Sequence, residues 1–357
     1  MRTLWSMEHC PSHSSRFATD SHSVYPVVSF QESSANIDWI MKPRILLTGK
    51  NGQIGAELAN LLPRLGDLAA FDRQQLDLSK PDQIRRVIRE TQPNVIVNAA
   101  AYTSVDQAEK DEGEAYAINA EAPALMAEEA KRIGAILVHY STDYVFDGLK
   151  NCPYDEGDAT NPINAYGRTK LAGEQAIQEV GPPHLIFRTA WVYALTGRNF
   201  LLTVLRLATE REELRIVRDQ IGAPTLSREI AQATTSVLAQ LASRNQEAYS
   251  DLKGVYHMTA AGQASWCEFA QAILEEASHV PTDVSWFARI TGARPLITRR
   301  IIPITSAEYV TPARRPAYSV LSNFKLQEAF AVQLPTWRTE LRQAFAGSQA
   351  RGLSFKP

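Results

Sequence analysis

The sequence predicts an α/β fold, a doubly wound parallel sheet followed by a smaller C-terminal region. Three observations carry that expectation. Short apolar runs alternate with stretches of helical spacing from Arg44 to Arg188. A loop with three glycines, TGKNGQIG, follows the first run directly. The alternation weakens beyond Trp191. Strands separated by helices imply parallel βαβ units with helices on both faces of one sheet, a Rossmann-like arrangement.

In order, strands are expected at 44–48, 68–71, 95–98, 135–140 and 185–188, the second ending at Asp72. Helices are expected at 54–62, 82–91, 112–132 and 164–180. Further on, helical spacing covers 200–211, 228–241, 265–277 and 335–345, and 254–259 could return a strand to the sheet. The stretches 294–303 and 312–316, rich in Pro and Arg, read as loops. The expected organisation is an N-terminal extension over 1–40 and a dinucleotide-binding domain over 41–190. A substrate-binding region over 191–357 then follows, with about 214–260 partly rejoining the sheet.

Composition narrows the function. The chain has 357 residues, 45% hydrophobic and 21% charged, which is ordinary for a globular protein. A net charge of -2 with scattered Lys and Arg argues against a nucleic-acid partner. No apolar run is long enough to span a membrane. Cys10, Cys152 and Cys267 show neither paired nor metal-like spacing, which suits a reducing compartment, so a cytoplasmic location is expected. The first 40 residues are rich in Ser and His and lack the apolar core of a secretory signal. They read either as a disordered tail or as residues before a true start at Met41.

The glycine loop is the first chemical signal. Gly49 suits a tight turn, Gly52 a close approach of backbone N–H groups to a diphosphate, and Gly55 close packing of helix on strand. Gln53 and Ile54 lie in the same turn. Asp72 could bond the ribose hydroxyls of NAD, while Arg73 could pair with the 2′-phosphate of NADP, so NADPH and NADH both stay open. The NAAAYT stretch, with Ala101, Tyr102 and Thr103, would lie along the same cofactor.

The second signal is a proton-transfer set. Tyr166 and Lys170 are spaced i, i+4 and share one helix face. A ketone reduction needs a proton at the developing alkoxide, and a neighbouring ammonium lowers the pKa of tyrosine toward neutrality. Thr142, ending the preceding strand, would bond the substrate oxygen. His139 reads as a satisfied histidine near the core. No Ser-His-Asp order and no metal cluster competes for the chemistry.

From residue 41 to about 345, the stretches VNAAAYTSVDQAE, HYSTDYVF, YGRTKLAGE, FRTAWVY, DQIGAPT and TPARRPAYS resemble the dTDP-4-dehydrorhamnose reductase family of extended short-chain dehydrogenases. The resemblance implies reduction of the C4 ketone of a dTDP-linked 4-keto-6-deoxysugar, with hydride from NADPH or NADH. It implies Thr142, Tyr166 and Lys170 as the catalytic set, and Asp143, Tyr144 and Trp191 at the sugar. Arg314 or Arg315 would face the nucleotide phosphates, Asp77 and Leu78 would lie near the adenine, and Tyr140 would touch the cofactor. It allows a homodimer. Some relatives hold magnesium through acidic side chains, but here only Glu57 matches and Arg228 stands where another acid belongs, so no metal is expected.

The chain departs from the family pattern in its N-terminal extension and in the longer connection SWFARITGARPLITRR. A related dehydratase would carry Glu after Thr-Asp, where this chain has Tyr144. A C4 epimerase and a non-catalytic regulatory subunit are the competing readings.

Overall fold

The computed structural model describes residues 42–242 and 252–350, so the expectation for the 1–40 extension lies outside the described residues. The first half runs β1 (Arg44–Thr48), α1 (Gln53–Leu61), β2 (Asp67–Phe71), α2 (Pro81–Thr91) and β3 (Val95–Asn98). It continues through α3 (Val105–Ala108), α4 (Glu112–Tyr116), α5 (Ala122–Ile133), β4 (Ile136–Thr142), α6 (Ala165–Val180) and β5 (His184–Thr189). Then come β6 (Val192–Tyr193), α7 (Phe200–Ala208), β7 (Glu213–Val217), β8 (Ile221–Gly222), β9 (Thr225–Leu226) and α8 (Ser227–Ala242). After α8 lie β10 (Gly254–His257), β11 (Ala264–Ser265) and β12 (Arg300–Ile304).

Six strands form one parallel sheet in the order β2-β1-β3-β4-β5-β10. The chain leaves β1 toward β2 on one side and later places β3 on the other. That reversal opens a crevice at the carboxyl ends of β1 and β3, where such folds bind ligands.

Strand periodicity explains the layers. Leu47, Val97, Tyr140 and Phe187 point to one face and pack with Leu58 of α1 and Ile230 and Val237 of α8. Leu46, Ile96, Leu137 and Ile186 point to the other and meet Ile84 and Ile88 of α2, Met126 of α5 and Ile177 of α6. Both faces are covered, so the strands are mostly apolar, with polar side chains gathered toward their carboxyl ends. A third apolar cluster, including Leu205, Phe269, Trp286, Phe287 and Leu341, belongs to the C-terminal region. The described residues all belong to one compact unit.

Several expectations shift. The single helix expected over 112–132 is interrupted by a π-turn, Ala117–Glu121. Pro123 has no N–H to offer the carbonyl of Asn119 four residues earlier, so the regular ladder cannot continue. The loop expected over 294–303 ends in β12, whose Ile301, Ile302 and Ile304 pair in parallel with β7. Pro303 is accommodated because this sheet has only two strands, both edges. Of the segments expected to rejoin the main sheet, β10 does so beside β5, whereas β7 does not. The longer connection begins with a helix, Ser285–Thr291, closed by Gly292 in the left-handed conformation. A helix at Phe324–Phe330 was not anticipated.

Candidate active site

The glycine loop forms one end of a cleft of about 940 Å³ at the crevice. Gly49 takes φ +71°, and a Cβ there would stand 2.8 Å from the backbone nitrogen of Ala100. The Gly52 N–H donates to the Gly49 carbonyl at 2.9 Å, which closes the turn. A Cβ on Gly55 would fall 2.0 Å from that same carbonyl oxygen. The third glycine therefore works by letting α1 sit on the loop, and Gly55 itself stays behind the cleft wall. Gly49, Gly52, Gln53 and Ile54 line the wall. Gln53 also ties the loop to the C-terminal region, donating to the Val192 carbonyl and accepting from Asn199 at 2.7 Å.

Asp72, Arg73, Asp77, Leu78, Ala101, Tyr102 and Thr103 continue the wall. The Asp72 carboxylate accepts from the backbone of Gln74 and Gln75 and lies 3.4 Å from Lys50. Those backbone bonds, against some desolvation, hold its pKa below the usual range. Arg73 is largely exposed and pairs with Glu114 at 3.1 Å. Asp77 caps its own turn by accepting from the backbone and hydroxyl of Ser79.

The catalytic candidates converge at the carboxyl end of β4. Asn164 caps α6 by accepting from the Gly167 N–H at 2.7 Å, and the helix then presents Tyr166 and Lys170 to the cleft. Thr142, last in β4, sets its hydroxyl toward the Tyr166 phenol and accepts from the Tyr144 N–H at 3.1 Å. Burial pushes the Tyr166 phenol up to about 12, against the opposing pull of that hydroxyl. Burial pulls the Lys170 ammonium down to about 8, opposed by the Glu174 carboxylate. Lys170 donates to the Tyr140 carbonyl at 2.6 Å and lies 3.0 Å from His139 Nε2. Tyr140 reaches the cleft wall, but its hydroxyl is engaged by Thr234 at 2.7 Å. The side chain of Asn119, in the π-turn, clamps both backbone groups of Tyr102 and bonds Thr169, beside Lys170.

Asp143 and Tyr144 follow Thr142 in the wall. Burial raises the Asp143 carboxyl to about 7, opposed by the hydroxyls of Ser319 and Thr142. Tyr144 meets Tyr166 edge-on at 5.9 Å between ring centres. Trp191 adopts φ +45°, rare for a side chain of that bulk. It stacks on Trp266 with ring centres 3.5 Å apart and planes 2° from parallel. Gly222 makes room, since a Cβ there would stand 2.4 Å from the indole. Arg314 and Arg315 do not line the cleft. Arg314 is exposed and its carbonyl accepts from Asn164 at 2.8 Å. Arg315 forms a two-pronged pair with Asp106, at 2.8 and 3.1 Å, and its charge reaches Tyr144.

Sequence reasoning missed Asp106, Asn119, Arg198 and Trp266. Pro123 inside a helical pattern was the available signal for the turn at Asn119. Trp266 and Arg198, both in the cleft wall, carried no local signal. Among the described residues no three His, Cys, Asp or Glu side chains converge, and Arg228 Nε stands 3.9 Å from Glu57. Among the described residues no helix is long and apolar enough to cross a membrane.

Known proteins agree with this geometry. Residues 41–349 match the family described as the RmlD substrate binding domain. A dTDP-4-dehydrorhamnose reductase of Burkholderia thailandensis is 52% identical over 295 residues, 83% of this chain and 95% of that protein. The Escherichia coli K12 enzyme of the same name is 43% identical over 303 residues, covering 84% and 96%. A crystal structure of the Bacillus anthracis dTDP-4-dehydrorhamnose reductase in complex with NADP superposes with a TM-score of 0.75 at 36% identity, covering 86% and 100%. The chain belongs to the RmlD family of dTDP-4-dehydrorhamnose reductases.

Proposed function

We propose that this chain reduces the C4 ketone of dTDP-4-dehydro-L-rhamnose to dTDP-L-rhamnose with NAD(P)H. The observation that carries the reading is the placement of Thr142, Tyr166 and Lys170 in one cleft with the glycine cradle. That cradle suits a dinucleotide diphosphate, since Gly49 takes a left-handed turn and Gly55 lets α1 sit on the loop, and a Cβ at either would meet backbone. Gly49, Gly52 and Gln53 would hold the diphosphate, with Asp72, Arg73 and Asp77 toward the adenosine. When bound, the dihydronicotinamide supplies the hydride.

The protein's own residues manage the proton. With its pKa up to about 12, Tyr166 is a neutral phenol at pH 7, the form that a reduction consumes. Thr142 fixes its hydroxyl. As the proton leaves, the ammonium of Lys170 one turn away offsets the charge of the tyrosinate. Trp191 and Tyr144 would pack on the deoxysugar, and Asp143 would bond its hydroxyls. Arg315, aimed by Asp106, would stand nearest the nucleotide phosphates.

The test is oxidation of NADPH or NADH by the purified chain with dTDP-4-dehydro-L-rhamnose, with the product identified by NMR. Stoichiometric cofactor oxidation with dTDP-L-rhamnose formed is expected from both cofactors. Conversion of dTDP-L-rhamnose to its C4 epimer with no net cofactor oxidation or reduction would mean an epimerase. No reaction with a verified substrate would leave the regulatory-subunit reading.

A further inference from the structure

Three polar side chains interrupt the apolar sheet in one row. Thr48, Asn98 and His139 are direct register partners on the neighbouring strands β1, β3 and β4. Each is no more than 1% exposed. Thr48 Oγ1 lies 2.7 Å from Asn98 Oδ1, and Asn98 Nδ2 lies 3.1 Å from His139 Nδ1. His139 Nε2 lies 3.0 Å from Lys170 Nζ, which also donates to the Tyr140 carbonyl. The Ala100 N–H donates to Thr48 Oγ1 at 3.3 Å and closes the far end of the row.

Buried polar groups in such a row are costly unless every one is paired. Here the pairing ends on the one lysine that the chemistry needs. An ammonium has three N–H donors. The Tyr140 carbonyl and His139 fix the directions of two, and the third is left for the cleft.

We propose that His139 is a positioning residue for the reduction: aimed by Asn98 and Thr48, its imidazole sets where the ε-amine of Lys170 stands and which N–H faces the cofactor and Tyr166. This rests on the reductase reading above. When Lys170 is an ammonium, Nε2 accepts from it, Nδ1 carries the ring proton, and Asn98 turns its amide oxygen toward Nδ1. When Lys170 is a neutral amine, the order reverses, and the Thr48 hydroxyl donates to Asn98, Asn98 to Nδ1, and Nε2–H to the amine. The row can thus follow the lysine's proton without charging the ring. Burial, then the nearby Lys170 charge, keeps His139 neutral. The other charged group facing Lys170 is Glu174, which is engaged by Arg188 at 2.6 Å and by Ser141.

The amide variants separate the two ring nitrogens. Gln reaches about as far as Nε2, and Asn only about as far as Nδ1. His139→Gln should keep the contact to Lys170 and retain most of kcat. His139→Asn should lower kcat by about tenfold, the scale of one hydrogen bond lost from a charged group, and displace the alkaline limb of the kcat–pH profile. The KM for the sugar should change little in either. Steady-state NADPH oxidation across the neutral and alkaline range, with melting temperatures, reads this out. If His139→Asn gives the wild-type pH profile, or if Gln and Asn lose activity only in step with melting temperature, His139 is merely structural and the proposal is wrong. Should both variants fail to fold, Asn98→Leu is expected to displace the same limb through a misaimed ring, and an unchanged profile there overturns the proposal. A wild-type chain that oxidises no cofactor would instead refute the reductase reading.

Discussion

At the glycine-loop end of the cleft, backbone meets backbone within one short stretch: Gly52 bonds Gly49, and Gly55 lies against the same carbonyl. At the far end, side chains meet across the whole chain. Asp106 and Arg315 are 209 residues apart in sequence, and Trp191 needs both the stacked Trp266 and the missing side chain of Gly222. The first end is set by conformation and tolerates no added atom. The second is set by packing and charge, which can be weakened by degrees. The two ends should therefore fail in different ways, and the catalytic set between them should fail in a third.

The largest loss is expected at the rigid end. Gly55→Ala places a methyl 2.0 Å from a backbone oxygen. Neither helix nor loop can yield without opening the turn, and overpacking of this kind costs about 1–3 kcal/mol of stability. A lowered melting temperature together with no saturable NADPH binding by fluorescence titration is expected. Normal NADPH affinity would show that α1 does not set the loop.

Tyr166→Phe should leave both ends intact. The ring still packs against Tyr144, so melting temperature and NADPH affinity should hold. Turnover should drop by ~10² or more, the scale of a lost positioned acid. Near wild-type turnover would remove Tyr166 as the proton donor. The pH dependence follows from its raised pKa: the proton needed is present through neutrality and lost only as pH rises toward about 12. A limb nearer pH 8 would then come from Lys170 or from Asp143, the two groups beside Tyr166 that burial moves into that range.

These contrasts also explain what the sequence could reveal. The main sheet, the loop and the Tyr166–Lys170 pair were legible because each rests on local periodicity or spacing. The two-stranded sheet of β7 and β12 was not, because Pro and Arg around three isoleucines mask a strand that exists only through a distant partner. The chemistry of Lys170 was half legible. Its helix face followed from i, i+4 spacing, but its attachment to His139 depends on strand register, which spacing within one segment does not encode. Arg315 was legible as a cation, yet the acid that aims it lies on α3, before the catalytic strand.

That long-range pair offers the intermediate effect. Asp106→Ala frees Arg315 to swing away from Tyr144, and Arg315→Ala removes the cation. Either change should raise the sugar-nucleotide KM by about tenfold, equivalent to about 1.5 kcal/mol for one charge-assisted hydrogen bond. NADPH affinity should be unaffected, because neither residue lines the cleft near the glycine loop. Equal losses for cofactor and substrate would show that the ends are coupled.

The smallest effect is expected at Arg73. Its side chain is 74% exposed and its partner Glu114 is 43% exposed, so their pairing is worth only about 0.2–1 kcal/mol. To meet a 2′-phosphate, Arg73 must give up that partner, and the two contacts nearly cancel. Arg73→Ala should therefore raise the KM for NADPH only a few-fold and leave NADH unchanged. Glu114→Gln should do the opposite, releasing Arg73 and lowering the KM for NADPH slightly. Both effects should fade as salt is raised, since charges this exposed are screened within about 10 Å at 0.1 M ionic strength. Asp72 supplies the control: its carboxylate is already held by Gln74, Gln75 and Lys50, so it faces both cofactors in one geometry. If Arg73→Ala weakens NADH as much as NADPH, the arginine does not meet the 2′-phosphate, and cofactor preference must come from the backbone of the loop itself.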